Sequence, residues 1–366
     1  MRICIVVPGG LDGQREDRRI PCLQWIVERL SARHSVEVFS LRQSGEPDSF
    51  EFAGARIHAL AGVSFWGAVR RIWGAHRRER FDVVHAFWAS RPGAVGLVAS
   101  RIMRRPLYVH VAGGELTSLP DIQYGTLRTR KGRWVVGMVL RKADGVTVAS
   151  TSMAKAVRLL GVVPERVPLG IDRGRWPAQE PPALVEAPYR LIHVASINRV
   201  KNQQALLRAL ARLRTTSFPI HLDLVGVDTL GGELQQLAAK LKIEDCVTFH
   251  GWLPQAGVRE LLARAHLHVM TSLHEAGPLA VREAAACGVL TVGSAVGHVA
   301  DWAPEAAIAI DPAYEMALAS AIRNILRDDE RRVALATAAL AKTIQHDADW
   351  TVSQFEGMYA QRSRSR

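Results

Sequence analysis

Two glutamates, Glu275 and Glu283, stand with seven residues between them in the stretch HEAGPLAVREAAACG, in a chain of 366 residues whose formal net charge is +12. HLHVMTS before them reads as a strand, SLHEAG as the loop at its carboxyl end, and Pro278 as a favoured first residue for a helix that Gly288 ends. A helix N-terminus, with free N–H groups and the positive end of the dipole, suits an anion such as a phosphate or diphosphate. Two carboxylates would repel that anion in direct contact, so they must address another part of the same ligand. Hydroxyls fit: Glu283, one turn beyond Leu279, can accept from the diol of a ribose, and Glu275 can reach a sugar beyond the diphosphate. The plainer alternative makes Glu275 an electrostatic cap and Glu283 a solvated residue of an Ala-rich helix.

A second group of candidates lies in VASINRVKN, where Lys201 opens a helix. A lysine there opposes the dipole, which is a reason to expect an anion. Arg199 is in the same loop. Two histidines occupy apolar strands, His85 in DVVHAF and His110 in YVHVAGGEL, and a buried strand histidine is the simpler reading of both. Cys4, Cys22, Cys246 and Cys287 show no CxxC or Cys/His ligand spacing, so neither a zinc site nor a disulfide framework is expected. No aspartate or Cys/His cluster suggests another metal.

These residues need elements to hold them. MRICIVVPGGLDG reads as a strand, Ile3 to Val7, running into a glycine turn at Gly9, Gly10 and Gly13. Leu23, Ile26, Val27 and Leu30 mark one helix face, and SVEVFSL alternates like a strand. Strands follow at ARIHAL, FDVVHAF, PLYVHVAG and GVTVAS, with helices at Trp66 to Arg78 and Pro92 to Met103. The pattern then restarts. YRLIHVAS, IHLDLVG, CVTFHG, HLHVMTS, VLTVGS and AAIAID are strands, separated by helices at Gln203 to Leu213, Glu233 to Leu241, Gly257 to Ala265 and Leu279 to Cys287. Strands alternating with helices imply parallel sheets covered on both faces, and 366 residues exceed one ordinary core. The expected architecture is therefore α/β, two doubly wound Rossmann-like domains facing a central cleft: 1–172, a proline-rich linker at 173–188, 189–345, and a C-terminal helix within 346–366 that packs back towards the first domain. The terminal RSRSR is expected to fray. Ligands in such sheets bind beyond the carboxyl ends of the strands.

The charge is uneven. Residues 1–175 hold 28 Lys+Arg and 15 Asp+Glu, a balance of +13, whereas residues 176–366 hold 19 and 20, a balance of −1. The first half thus points to an anionic partner, a lipid surface, an acidic acceptor or nucleic acid, the alternative being a solvated surface without one. SFWGAVRRIWGAHRRER, with Trp66, Val69 and Trp73 near one helix side among Arg70, Arg71, Arg77 and Arg78, and LRTRKGRWVVGMVLRK with Trp134 suit an anionic membrane surface. No apolar run reaches the roughly 18 residues of a membrane span, and the Arg-rich start is unlike a signal peptide. A cytoplasmic protein, peripheral at the inner membrane face, is the expectation.

SLHEAGPLAVREAAACG resembles the glutamate-x7-glutamate signature of retaining GT-B glycosyltransferases of the family-4 (glycosyl transferases group 1) type. The likeness extends through LVGVDTLGGELQQLAAKL, VTFHGWLPQAGVRELLARAHLHVMTSLHEAGP and VGSAVGHVADW, about Tyr189 to Asp311. PGGLDG, DVVHAFWASRPG and ERVPLGID resemble weaker signatures of the family. The resemblance implies metal-independent transfer, with retention, from a nucleoside-diphosphate sugar to a glycan or lipid-linked acceptor, without a cofactor. It places Glu275 on the donor sugar and Glu283 on the ribose, with the N–H groups of Gly277, Leu279 and Ala280 on the diphosphate, Pro278 having none. Lys201 matches the family lysine. Ser196 stands where the family has an arginine, so Arg199 is expected to supply the guanidinium. Gly10, Gly226 and Trp252 complete the donor side, Trp252 near the base. Ala112 stands where many relatives have a histidine, and His110 is the candidate substitute.

A dehydrogenase fits poorly, because GGLDG is not GxGxxG and no acidic residue ends SVEVFSL. A nucleotide-sugar 2-epimerase of the same architecture is the closer rival, but the glutamate motif favours transfer. A nucleic-acid binder would explain the charge without any recognised module, and no nucleic acid is expected.

Overall fold

The computed structural model describes residues 1–43, 49–184, 187–311 and 315–363. The contacts divide the chain into two compact units, Met1–Asp172 together with the chain from His346 onward, and Arg173–Gln345. The last three residues of RSRSR lie outside the described residues.

In the first unit the strands are β1 (Arg2–Val7), β2 (Ser35–Ser40), β3 (Ser49–Phe52), β4 (Ala55–Ala59), β5 (Val83–Phe87), β6 (Leu107–Val111), β7 (Gly145–Val148) and β8 (Glu165–Arg166), ordered β3-β4-β2-β1-β5-β6-β7-β8. Every residue of β1, β5 and β6 is buried, as central strands covered on both faces must be. The covering helices are α1 (Pro21–Ser31), α2 (Phe65–Arg78), α3 (Arg91–Met103), α4 (Arg130–Lys142) and α5 (Thr151–Arg158). β3 was not legible as a strand. It pairs antiparallel with β4 through a two-residue turn, Ala53-Gly54, whose φ values of 55° and 75° make the tight hairpin geometry that Asn-Gly usually signals.

The second unit holds β9 (Tyr189–Val194), β10 (Ile220–Val225), β11 (Val247–Gly251), β12 (Leu267–Met270), β13 (Leu290–Ser294) and β14 (Ile308–Ile310), all parallel, in the order β11-β10-β9-β12-β13-β14. Its helices are α6 (Gln203–Thr215), α7 (Glu233–Leu241), α8 (Gln255–Leu262), α9 (Leu279–Ala286), α10 (Gly297–Trp302), α11 (Glu315–Leu326) and α12 (Asp329–Gln345). Leu206, Leu210 and Leu213 of α6 pack with Leu222 and Leu224 of β10 in the core.

The proline-rich segment is no free tether. Trp176 is buried, the Gln179 N–H donates to Ala286 O at 2.8 Å, and the fully buried Arg332 of α12 donates to Pro182 O at 2.6 Å. Backbone groups that lack a ladder are thus satisfied by a helix end and a guanidinium. Beyond α12 the chain returns to the first unit as α13 (Ala348–Ser363), whose Val352, Phe355, Met358 and Tyr359 pack on Ile3, Ile5, Val27 and Leu30. Arg29 of α1 pins its start through Asp349 at 2.9 Å.

Candidate active site

The site follows from strand order. β9 and β12 are neighbours, but from β9 the chain winds outward to β10 and β11, and from β12 it winds the other way to β13 and β14. The loops leaving these two carboxyl ends therefore diverge, and this switch point is where open α/β sheets take ligands. One loop carries Lys201 and the other Glu275.

Several hydrogen bonds seat the two loops on each other. Leu273 N–H donates to Val200 O at 2.8 Å, and the Thr271 hydroxyl donates to Lys201 O at 3.0 Å. Gln203, buried at the start of α6, donates to Ser196 O at 3.0 Å and lies 3.2 Å from His193 Nε2. Burial lowers His193 to about 4, so its ring is neutral, donating from Nδ1 to Val269 O at 2.7 Å and accepting at Nε2. The Asn198 side chain accepts from the Lys201 N–H, and Asn202 takes the left-handed backbone (φ 50°) that starts α6.

Within this frame the Lys201 ammonium meets Glu275 at 2.5 Å, and the Ser272 hydroxyl donates to the same carboxylate oxygen at 2.7 Å. Both charged side chains keep a path to solvent, 23% exposed for the lysine and 13% for the glutamate. Pro278 is the N-cap of α9, one position before the place expected for it, and no side chain caps that end. Gly277, Leu279 and Ala280 are half-buried there, and the first N–H groups of a helix have no intrahelical partner. The turn at Gly297 closes on this loop. Its φ is 54°, and a Cβ would stand 2.7 Å from Pro278 Cδ and 3.0 Å from Glu275 Cβ, so only glycine admits the approach.

Glu283 is 7% exposed, which excludes the solvated alternative. Burial raises its carboxyl to about 8. The neighbouring Cys287 thiol is pushed up to about 12, first by burial and then by Glu283. Arg282 was missed by sequence reasoning. It is buried, with Nε 3.1 Å from His298 Nε2 and its guanidinium 5.5 Å from the Trp302 ring, and so locks α9 to α10. A lone arginine in an Ala-rich helix was its signal.

Other expected residues lie elsewhere. Arg199 is turned to Glu233 of α7 at 2.8 Å in an exposed pair, while Lys201 alone is joined to Glu275. Ser196 is exposed, its carbonyl held by Gln203. Gly226 allows the loops after β9 and β10 to touch, since a Cβ would fall 2.0 Å from Ala195 O, and its N–H donates to Gly251 O at 2.7 Å. Trp252, just past β11, is exposed.

Gly10 is in the first unit, buried against Ile20. His110 is corrected: it is a core histidine, fully buried in β6, with Nδ1 2.8 Å from the Thr147 hydroxyl and its ring against Phe87 and Phe355. Burial lowers it to about 3, leaving a neutral imidazole enclosed in the core. His85 behaves alike, 2.6 Å from the Tyr359 hydroxyl. The polar anchor of this end of the sheet is Glu115, which sequence reasoning also missed. Its buried carboxylate accepts from the N–H groups of Gly113 at 2.8 Å, Ala112 at 3.1 Å and Ala89 at 3.3 Å. Burial raises its pKa and these N–H groups oppose the rise. Beside it Trp88 holds φ at 71°, a strained conformation for a bulky side chain, on a cavity of about 300 Å³ lined by Pro8, Leu41, Arg42, Ser90 and Arg91. Among the described residues no three His, Cys, Asp or Glu side chains gather as metal ligands.

The pattern of the family "Glycosyl transferases group 1" matches residues 175–342, and that of "Glycosyl transferase 4-like domain" matches residues 20–170. The chain is a group 1 glycosyltransferase. The transferase is 28% identical over 286 residues to the glycogen synthase of Mycobacterium tuberculosis, spanning 76% of this chain and 67% of the relative. In structure it is similar over its full length to all of sucrose-phosphate synthase from Thermosynechococcus elongatus (TM-score 0.83, 19% identity). It is likewise similar to HepE of Anabaena in complex with UDP-glucose (0.76, 20%, the whole of both chains). The transferase therefore has the GT-B fold.

Proposed function

We propose that this transferase moves a sugar from a nucleoside-diphosphate sugar to a hydroxyl of a glycan or lipid-linked acceptor, with retention and without a metal or cofactor. The observation that carries the reading is the Lys201–Glu275 pair beside the uncapped start of α9, with Glu283 buried four residues on from Leu279. HepE, of the same fold, binds UDP-glucose, which supports a nucleotide sugar as donor.

In this reading the donor diphosphate takes Lys201 from Glu275 and lies on the N–H groups of Gly277, Leu279 and Ala280. Glu275, released, accepts from hydroxyls of the sugar, and Glu283 accepts from the ribose diol. The acceptor oxygen attacks the anomeric carbon on the face the diphosphate leaves. The new C–O bond forms as the bond to the diphosphate breaks, and the acceptor proton passes to a departing phosphate oxygen. No protein base is required; positioning and the stabilisation of charge on the diphosphate supply the catalysis. The loss of His110 as a candidate leaves this path intact.

The first unit offers the acceptor a stacking surface at Trp88 with Arg42 and Arg91 beside it. It also carries exposed tryptophans among bases: Trp66 is 65%, Trp73 39% and Trp134 64% exposed, while Val69, grouped with them on sequence, belongs to the core. These rings and the surrounding arginines suit docking on an anionic membrane that presents a lipid-linked acceptor. No helix among the described residues is long and apolar enough to cross a membrane. The decisive experiment incubates the protein with a panel of nucleotide sugars and acceptors and reads the anomeric configuration of the product by NMR. An inverted product, or turnover unaffected by Lys201→Ala, overturns the reading.

A further inference from the structure

The chain leaves β5 through one tightly constrained residue. The Trp88 N–H still pairs with the sheet, donating to His110 O at 2.9 Å, and the Trp88 carbonyl accepts from the Gly93 N–H at 2.9 Å in the first turn of α3. Between these two anchors the backbone is left-handed, with φ at 71°. Glycine or asparagine takes that conformation at little cost and tryptophan does not, so the groups around it must hold it there. The turn stands at the carboxyl end of a parallel strand, and the Trp88 ring lines the cavity of about 300 Å³.

Two residues that do not line the cavity fix that ring. Glu115 is the first. Its Oε1 accepts from the N–H of Ala89, the residue after Trp88, at 3.3 Å and from that of Ala112 at 3.1 Å, which ties the loop after β5 to the loop after β6, and its Oε2 accepts from the Gly113 N–H at 2.8 Å. Ala89 is fully buried, so an N–H deprived of this acceptor would be costly. Gly113 is the second. A Cβ there would stand 2.7 Å from Trp88 Nε1 and 3.3 Å from Trp88 Cδ1, so the indole lies directly on this glycine. Its φ of −160° is extended backbone, and room for the ring is what asks for glycine.

We infer that Glu115 and Gly113 are positioning residues for the acceptor: the carboxylate fixes the strained turn at Trp88 and the glycine seats the indole, whose face receives the C–H face of an acceptor pyranose. The inference rests on the reading of this cavity as the acceptor's. An indole face is apolar, and a pyranose can present C–H groups on one face while its hydroxyls point outward, so their contact removes apolar surface from water and leaves the hydroxyls to polar partners. Both residues act on a ligand only through Trp88.

The test labels the full chain with fluorotryptophan and assigns the Trp88 fluorine resonance by its loss in Trp88→Phe. Methyl α-D-glucopyranoside, methyl α-D-mannopyranoside and methyl β-D-galactopyranoside are titrated into the wild type, Glu115→Gln and Gly113→Ala. Glu115→Gln keeps the shape of the side chain but sets an amide N–H against the Gly113 N–H, and Gly113→Ala puts a methyl group where the ring lies. At least one glycoside should move the Trp88 resonance of the wild type. In both variants that resonance should be displaced before any glycoside is added, the glycoside should bind about tenfold or more weakly, and the resonances of the other tryptophans should stay in place. The inference alone is overturned if either variant keeps the wild-type Trp88 resonance, if both bind the glycoside as the wild type does, or if in both the other resonances move as well, which marks a general loss of folding. If no glycoside moves Trp88 in the wild type, the reading of the cavity as the acceptor's fails and takes the inference with it.

Discussion

Replacing Glu283 by glutamine keeps the shape of the side chain and removes its ability to ionise. In the folded protein burial raises this carboxyl from 4.5 to about 8. The difference, 8 − 4.5, is 3.5 pKa units, and at about 1.4 kcal/mol per unit it corresponds to about 5 kcal/mol. The folded state holds the proton more tightly than the unfolded chain. This contribution to stability is therefore fully present below pH 4.5, falls by about 1.4 kcal/mol per pH unit above it, and is lost once the pH passes about 8. At pH 7 the deficit is about 3 kcal/mol. Urea denaturation of the wild type and Glu283→Gln from pH 5 to 9 isolates it, since the other titrating groups cancel in the difference. The wild type should lose stability relative to the variant up to pH 8 and run parallel above it; parallel curves throughout would refute the burial argument. The same proton reports on function. A ribose diol donates to the carboxylate, so nucleoside diphosphate binding should expel the proton, and the affinity advantage of the wild type over Glu283→Gln should grow as pH rises towards 8. Calorimetry in buffers of different ionisation enthalpy reads the release, and equal proton exchange by both proteins would remove Glu283 from the ribose.

Three further perturbations separate the other parts of the site. Lys201→Ala should weaken nucleoside diphosphate binding about tenfold or more, as loss of a charge-assisted contact does, while Arg199→Ala, which breaks only an exposed pair with Glu233, should change it less than about fivefold; equal losses in titration would return Arg199 to the diphosphate. Glu275→Gln should slow turnover by at least about tenfold and leave the affinity for the nucleoside diphosphate unchanged, because its proposed partner is the sugar; full turnover would dismiss that role. Gly297→Ala should destabilise the second unit by about 1–3 kcal/mol in denaturant, since it combines a φ of 54° with a Cβ contact at 2.7 Å, and an unchanged midpoint would show that the loop yields.

The alternation of apolar strands with amphipathic helices, the restart of that pattern near Tyr189 and the loop-to-helix setting of Glu275 and Glu283 were legible in the sequence by itself, because each is written in a few adjacent residues. Periodicity, a Gly-Pro pair and a helix-ending glycine act locally, wherever the rest of the chain goes. Tertiary structure decided what meets what. Lys201 and Glu275 are 74 positions apart, and they touch because β9 pairs with β12 rather than with another strand. No local signal names that partner; it is chosen by which apolar faces pack together over long stretches of chain. Burial was decided at the same level. Glu283 and Arg282, adjacent in one polar-looking step of an Ala-rich helix, are both enclosed, whereas Arg199 is left in solvent with Glu233, and His110 is closed in by Phe87 and by Phe355 of a helix more than two hundred residues away. Ionisation and reach depend on the dielectric and the neighbours around a side chain, and these come into being only when distant elements close around it.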